Sequence, residues 1–272
     1  MKERLQKLIS AAGLCSRRQA EEWILQGKVT VNGDLARLGD AADPESDLIR
    51  IDGRPLPAAP KETVTVLLYK PRGVVTTLSD EKGRPTVAEL LPRSLGRLYP
   101  VGRLDQFSEG LLLMTNDGAL AQRLTHPGGE VQKTYRLWVS GWHEGALALL
   151  RRPIVLDGYR IKPPEVKLLW NRKAVGSDAH IAPVIAAGND AAVPAAEASG
   201  DASLREEKRT ALLEITIHEG RNRQIRRMAE AAGLKTTRLQ RIAEGPISLG
   251  NLKPGQWREL TEAELTQLTM YN

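Results

Sequence analysis

Apolar positions switch between helical and strand spacing along the chain, and each switch marks an element. Leu5, Leu8, Ile9 and Ala12 recur at helical spacing and stop at Gly13, where a left-handed residue ends a helix. Ser16 and Gln19 form a capping box for a second helix, Arg17 to Gln26, with Ala20, Trp23 and Ile24 on its apolar side and Gly27 as its stop. Lys28 to Gly33 and Leu48 to Gly53 then read as short strands ending in Asn-Gly and Asp-Gly, dipeptides that favour tight hairpin turns. Pro55, Pro57 and Pro60, set among alanines, make a stiff connector, so a domain boundary is expected near residue 60, dividing 1–60 from 61–272.

Beyond the boundary, Thr63 to Tyr69 is a β-rich, partly alternating strand, and Lys70-Pro-Arg-Gly73 turns the chain. Thr86 to Pro92 reads as a short helix stopped by proline. The apolar run Leu111 to Met114 reads as a buried strand; Thr115, Asn116 and Asp117 offer capping oxygens for a helix over Ala119 to Thr125. In Lys133 to Val139, Tyr135, Leu137 and Val139 share one strand face. A helix over Gly145 to Arg151 and short strands around Ile154 and Val166 to Trp170 follow. Residues 171–209 lack both periodicity and bulk, which predicts a flexible insertion. Leu212 to His218 resumes as an alternating strand, and Arg223 to Ala232 as a helix ended by Gly233. In that helix Ile225, Met228, Ala229 and Ala232 form one stripe, Arg223, Arg227 and Glu230 lie opposite, and Arg226 falls on the margin. Closing strands and a helix over Glu262 to Leu268 complete an α+β pattern with a mostly antiparallel sheet and flanking helices.

Composition narrows the function. The 272 residues carry a formal charge of +6, which points to an anionic partner. One cysteine, Cys15, excludes an internal disulfide, and four scattered histidines do not make a usual zinc set, so neither metal nor metal-borne cofactor is expected. No phosphate loop or dinucleotide fingerprint occurs. The polar amphipathic start and the lack of any run of about 18 apolar residues predict a cytoplasmic protein with no membrane partner.

Three features carry candidate chemistry. Asp105 lies on the Gly102-Arg-Leu-Asp105 loop ahead of the buried strand, a rigid mount for a reacting acid; the plainer alternative is a turn carboxylate paired with Arg103. Arg17 and Arg18 occupy the first turn of a helix, where the macrodipole disfavours cations unless an anion arrives. Arg221, Arg223, Arg226, Arg227, Lys235, Arg238 and Arg241, against a single Glu230, form the densest basic region, a footprint suited to phosphates.

Glu3 to Ile9, Ser16-Arg-Arg-Gln-Ala20 and Gly27 to Gly33 resemble the alpha-L RNA-binding module, a small α/β unit whose basic helix end and following strand face structured RNA. Lys70-Pro-Arg-Gly73, Gly102 to Asp105 with Ser108 to Leu113 and Thr115 to Gly118, Lys133-Thr-Tyr135, and Glu219 to Met228 resemble the RsuA and RluB type of ribosomal RNA pseudouridine synthase, over nearly the whole chain. The resemblance implies an enzyme that isomerises a uridine without metal or cofactor, acting as a monomer on ribosomal RNA or a pre-ribosomal particle. It assigns catalysis to Asp105, with Arg226 able to pair with it and Tyr135 packing on the flipped base, and it puts Arg103 in the gap left in the RNA. Arg17, Arg18, Lys28, Arg221, Arg223 and Arg227 are then expected to contact RNA, and Lys70 to make structural or RNA contacts. Length and closing segment resemble the RluB branch, which implies large-subunit rRNA; a small-subunit target, an RNA-binding assembly factor that has lost its chemistry, and a methyltransferase are the alternatives. The methyltransferase lacks a glycine-rich cofactor loop. Gln106-Phe107 departs from the family, which carries an aromatic and then an acid after the aspartate, so the packing of this loop is in question.

Overall fold

The computed structural model describes residues 1–60, 62–173 and 209–271. Helices Leu5–Ala11 and Arg17–Leu25 pack together against a four-stranded antiparallel sheet, Val29–Val31, Asp34–Leu35, Ile49–Ile51 and Arg54–Pro55. Leu5, Ile9, Ala20, Ile24, Val29 and Ile49 make its core. Asn32-Gly33 and Asp52-Gly53 all have positive φ, the backbone a tight hairpin turn requires. Only half of the expected capping box forms: Ser16 Oγ accepts from the Gln19 amide at 3.1 Å, but the Gln19 side chain donates to Glu22 instead of reaching back.

The larger sheet has nine strands among the described residues, seven of them in the order Glu165–Lys173, Arg209–Ile217, Lys133–Ser140, Lys235–Glu244, Glu109–Thr115, Thr65–Lys70, Trp257–Glu259. All neighbours in that row are antiparallel except Lys235–Glu244 and Glu109–Thr115, which run parallel and pair only Gln240 with Glu109 and Arg241 with Gly110. Two antiparallel halves therefore meet at one short parallel seam.

Strand burial differs between the halves. Tyr135, Leu137 and Val139, facing Leu213, Ile215 and the stripe of helix Gln224–Ala231, alternate with more exposed residues as the period-two pattern requires. Thr65–Lys70 and Glu109–Thr115 do not alternate, because both faces are covered. Leu67, Leu111 and Leu113 pack on Leu120, Leu124 and Leu268 of helices Gly118–Thr125 and Glu262–Met270, while Val66, Leu68, Leu112 and Met114 pack on Val87 and Leu98. Asn171, Arg172, Lys173 and Arg209, expected in the insertion, belong to paired strands; the rest of that segment lies outside the described residues. Among the described residues no helix is long and apolar enough to cross a membrane.

Candidate active site

The Asp105 loop is fastened from four directions before it enters the seam strand. Thr76 Oγ1 donates to the Leu104 carbonyl at 2.7 Å and accepts from the Leu104 amide at 3.2 Å. The Asp105 carbonyl accepts from the Ser108 amide at 3.0 Å, closing a tight turn. The Gly73 amide donates to the Gln106 carbonyl at 2.8 Å, and Gln106 Nε2 returns a bond to the Gly73 carbonyl at 3.2 Å. Arg226 Nη2 donates to the Phe107 carbonyl at 2.9 Å and to Ser108 Oγ at 3.3 Å. Gln106-Phe107 thus leaves the loop docked on the Lys70-to-Gly73 turn.

Beneath it lies Lys70, 0% exposed, whose Nζ donates to the carbonyls of Ser108 at 2.8 Å, Pro71 at 3.0 Å and Gln106 at 3.4 Å. Burial pulls its pKa from 10.5 down to about 8, against the opposing charges of Asp105 and Glu109. Of the structural or RNA contacts expected of Lys70, a side chain with no exposed surface makes the structural ones, and it braces the loop.

Asp105 and Tyr135 line one cavity of about 350 Å³, in which Asp105 is the single acid among Arg84, Arg103, Arg221 and Arg223. The Asp105 carboxylate is half-buried and makes no hydrogen bond or ion pair with any described residue, so it is not a turn acid tied to Arg103. Arg226 does not pair with it directly, because its guanidinium is engaged by the loop; both line an adjoining groove, and the Asp105 charge partly offsets the lowering of the Arg226 pKa by burial. Burial raises the pKa of Tyr135, and the Arg241 guanidinium opposite it in the strand register acts the other way.

The other basic residues separate by environment. Arg17, Arg18, Lys28 and Arg103 are exposed. Arg221 stacks on Tyr159 with its guanidinium 3.5 Å from the ring centre, and Arg223 lies 3.9 Å from Glu230 at a left-handed backbone position. Arg227 is engaged by both Asp157 oxygens, at 2.7 and 3.0 Å, and in this arrangement does not present a free guanidinium to RNA. Arg241, counted above with the basic surface, is 1% exposed and donates to the Leu111 carbonyl at 2.7 Å. Sequence reasoning gave no role to Thr76 and Arg84, or to Arg72 and Gln224 within the blocks that carry the resemblance; the Gln224 side-chain oxygen accepts from the Arg221 amide at 3.1 Å beside the cavity.

Residues 64–231 match the family described as RNA pseudouridylate synthase, and residues 3–55 match the S4 domain. Ribosomal large subunit pseudouridine synthase B of Bacillus subtilis is 39% identical over 267 residues, covering 98% of this chain and 95% of that protein. An uncharacterized RNA pseudouridine synthase of Aquifex aeolicus is 38% identical over 271 residues, covering 98% and 94%. A crystal structure of pseudouridylate synthase superposes with a TM-score of 0.61 at 27% identity, covering 97% of this chain and 99% of that one. An acid-bearing cavity on a mixed sheet, a family match across that sheet and relatives that span the whole chain agree: the chain belongs to the RNA pseudouridylate synthase family and carries an S4 domain.

Proposed function

We propose that this protein isomerises one uridine of large-subunit ribosomal RNA to pseudouridine, with Asp105 as the reacting carboxylate. The observation that carries the reading is the pairing of a lone, unpartnered carboxylate with a tyrosine ring in one cavity rimmed by arginines. The reaction breaks the N-glycosidic bond, turns the uracil over within the site and rejoins it through carbon. Asp105 acts on the ribose, as nucleophile or as base, and an aspartate free of ion pairs with the described residues is available for either role. Extruding the uridine costs a few kcal/mol, which the Tyr135 ring offsets by packing on the base and exposed Arg103 offsets by filling the vacated stack. Arg226 supports the loop through the Phe107 carbonyl and Ser108 Oγ.

Residues 1–60 hold RNA through Arg17, Arg18 and Lys28, and residues 61–272 do the chemistry, as a monomer in the cytoplasm. The large-subunit target rests on the name of the Bacillus subtilis relative. The test is Asp105→Asn, with pseudouridine measured by mass spectrometry on ribosomal RNA from cells lacking the protein. Product should vanish while RNA binding persists; product formation by the variant would exclude Asp105 as the reacting group.

A further inference from the structure

We propose that Phe107 is a stacking platform for the nucleotide next to the target uridine, in a groove that continues from the catalytic cavity. This rests on the reading of Asp105 given above. Phe107 is the only phenylalanine in the chain, and 54% of it is exposed. Single exposed apolar side chains are ordinary on protein surfaces. This one differs in where it stands and in how firmly its backbone is held.

The groove, of about 520 Å³, is lined by Arg72, Asp105, Gln106, Phe107, Arg223 and Arg226. Asp105 lines both spaces, so a nucleotide whose ribose sits at that carboxylate has its base in the cavity and its neighbour in the groove. Arg72 and Arg223 beside one aromatic ring, with Arg226 bonded to the loop backbone, match what an extruded strand presents there: phosphates to neutralise and a base face to cover. A neighbouring pocket shares Arg223 and Arg226 and adds Lys235 together with Glu230.

The ring is also pre-positioned. Arg226 holds the Phe107 carbonyl, Gln106 is bonded to Gly73 on one side, and Ser108 accepts from Lys70 on the other. A short aromatic side chain on a fixed backbone loses little freedom on binding, and its π face accepts any base. Phe107 would therefore tighten binding without selecting a base and without touching the reacting atoms.

The test compares Phe107→Ala, Phe107→Leu and Phe107→Trp in single-turnover isomerisation of large-subunit rRNA. The alanine variant should raise the half-saturating RNA concentration about 5- to 150-fold while the rate at saturating RNA holds. Tryptophan should restore binding and leucine should not. Leucine matching the wild type would overturn stacking in favour of plain apolar cover, as would an unchanged alanine variant. A second arm needs no turnover: fluorescence of Phe107→Trp, after subtraction of the wild-type signal, should be quenched by oligouridylate and not by heparin. Equal response to both polyanions would overturn the proposal. If the wild type forms no pseudouridine, the enzymatic reading fails, and the fluorescence arm still judges Phe107.

Discussion

Lys70→Met should remove a pH dependence of stability that the wild type carries. The amine sits with 0% exposure among three carbonyls, with no carboxylate of the described residues in ion-pair contact, and burial lowers its pKa from 10.5 to about 8. Between those values the folded chain binds fewer protons at this site than the unfolded chain, so stability rises with pH across the window. Below about pH 8 the whole cost of a charged buried lysine is present, about 3 kcal/mol at ~1.4 kcal/mol per pH unit. Between about pH 7.5 and about pH 9.5 the wild type should recover about 2 kcal/mol from this group alone. Methionine fills similar space without a charge, while leaving the Pro71 and Ser108 carbonyls short of a donor at about 1–3 kcal/mol each. Absolute stabilities at neutral pH should therefore lie close together, and only the slope separates the two proteins. Urea unfolding across that range, taken as wild type minus variant, cancels the other lysines and tyrosines. A difference that stays constant with pH would refute the claim that Lys70 is held charged at a cost.

Two further substitutions address the seam and the cavity floor. Gly110→Ala should destabilise the protein by about 3 kcal/mol or more, because its φ is +103° and a Cβ there would lie 2.2 Å from the Arg241 carbonyl oxygen; thermal denaturation within ~1 kcal/mol of wild type would contradict the seam geometry. Tyr135→Phe keeps the ring in the cavity but removes the oxygen beside the buried Arg241, so unfolding free energy should fall by about 1–3 kcal/mol; an unchanged value would mean that guanidinium does not depend on the phenol.

Much of this organisation is legible in the residues, and the exceptions have physical causes. Alternation identifies Lys133–Ser140 and Arg209–Ile217 because one face of each packs on a helix. It is only partial in Thr63 to Tyr69 and does not tell which face of Thr65–Lys70 is buried, because cores on both sides bury every position. Lys70 in its Lys-Pro-Arg-Gly turn leaves a structural role and an RNA contact open; only the carbonyls of a loop 36 to 38 residues away decide for an internal brace. Arg241 was within reach, since period two from Leu239 puts it on the inner face, with Glu244 three residues on as its counter-charge. Arg227 was not, because Asp157 lies 70 residues earlier in the chain. Arg226, on the margin of its helix stripe, is half-buried as that position implies, but its partner is the backbone of the acid's loop and not the acid.

The separation between Asp105 and Tyr135 is set by the narrowest part of the sheet. Asp105 belongs to the half that enters the seam through Glu109 and Gly110, and Tyr135 to the half that enters it through Lys235–Glu244. Two residue pairs alone join these halves along the parallel register, too few to resist sliding by backbone bonding alone. Side chains supply further ties: Arg241 Nε bonds the Leu111 carbonyl across the seam with its guanidinium opposite Tyr135, Arg238 pairs with Glu109, and Gln240 Nε2 donates to the Tyr69 hydroxyl at 3.0 Å. Glu244, 3.3 Å from Arg241 and 3.8 Å from Lys133, offsets part of the positive charge within the same buried cluster. Desolvating such a cluster costs several kcal/mol per ion, and well-packed apolar residues would do as well for stability. A buried charge cluster adds to the register set by the apolar pattern, because a displaced strand would leave a charge buried without its partner. The buried charges therefore act on the alignment of the two cavity walls, which is the quantity a reaction at a single carboxylate needs held constant.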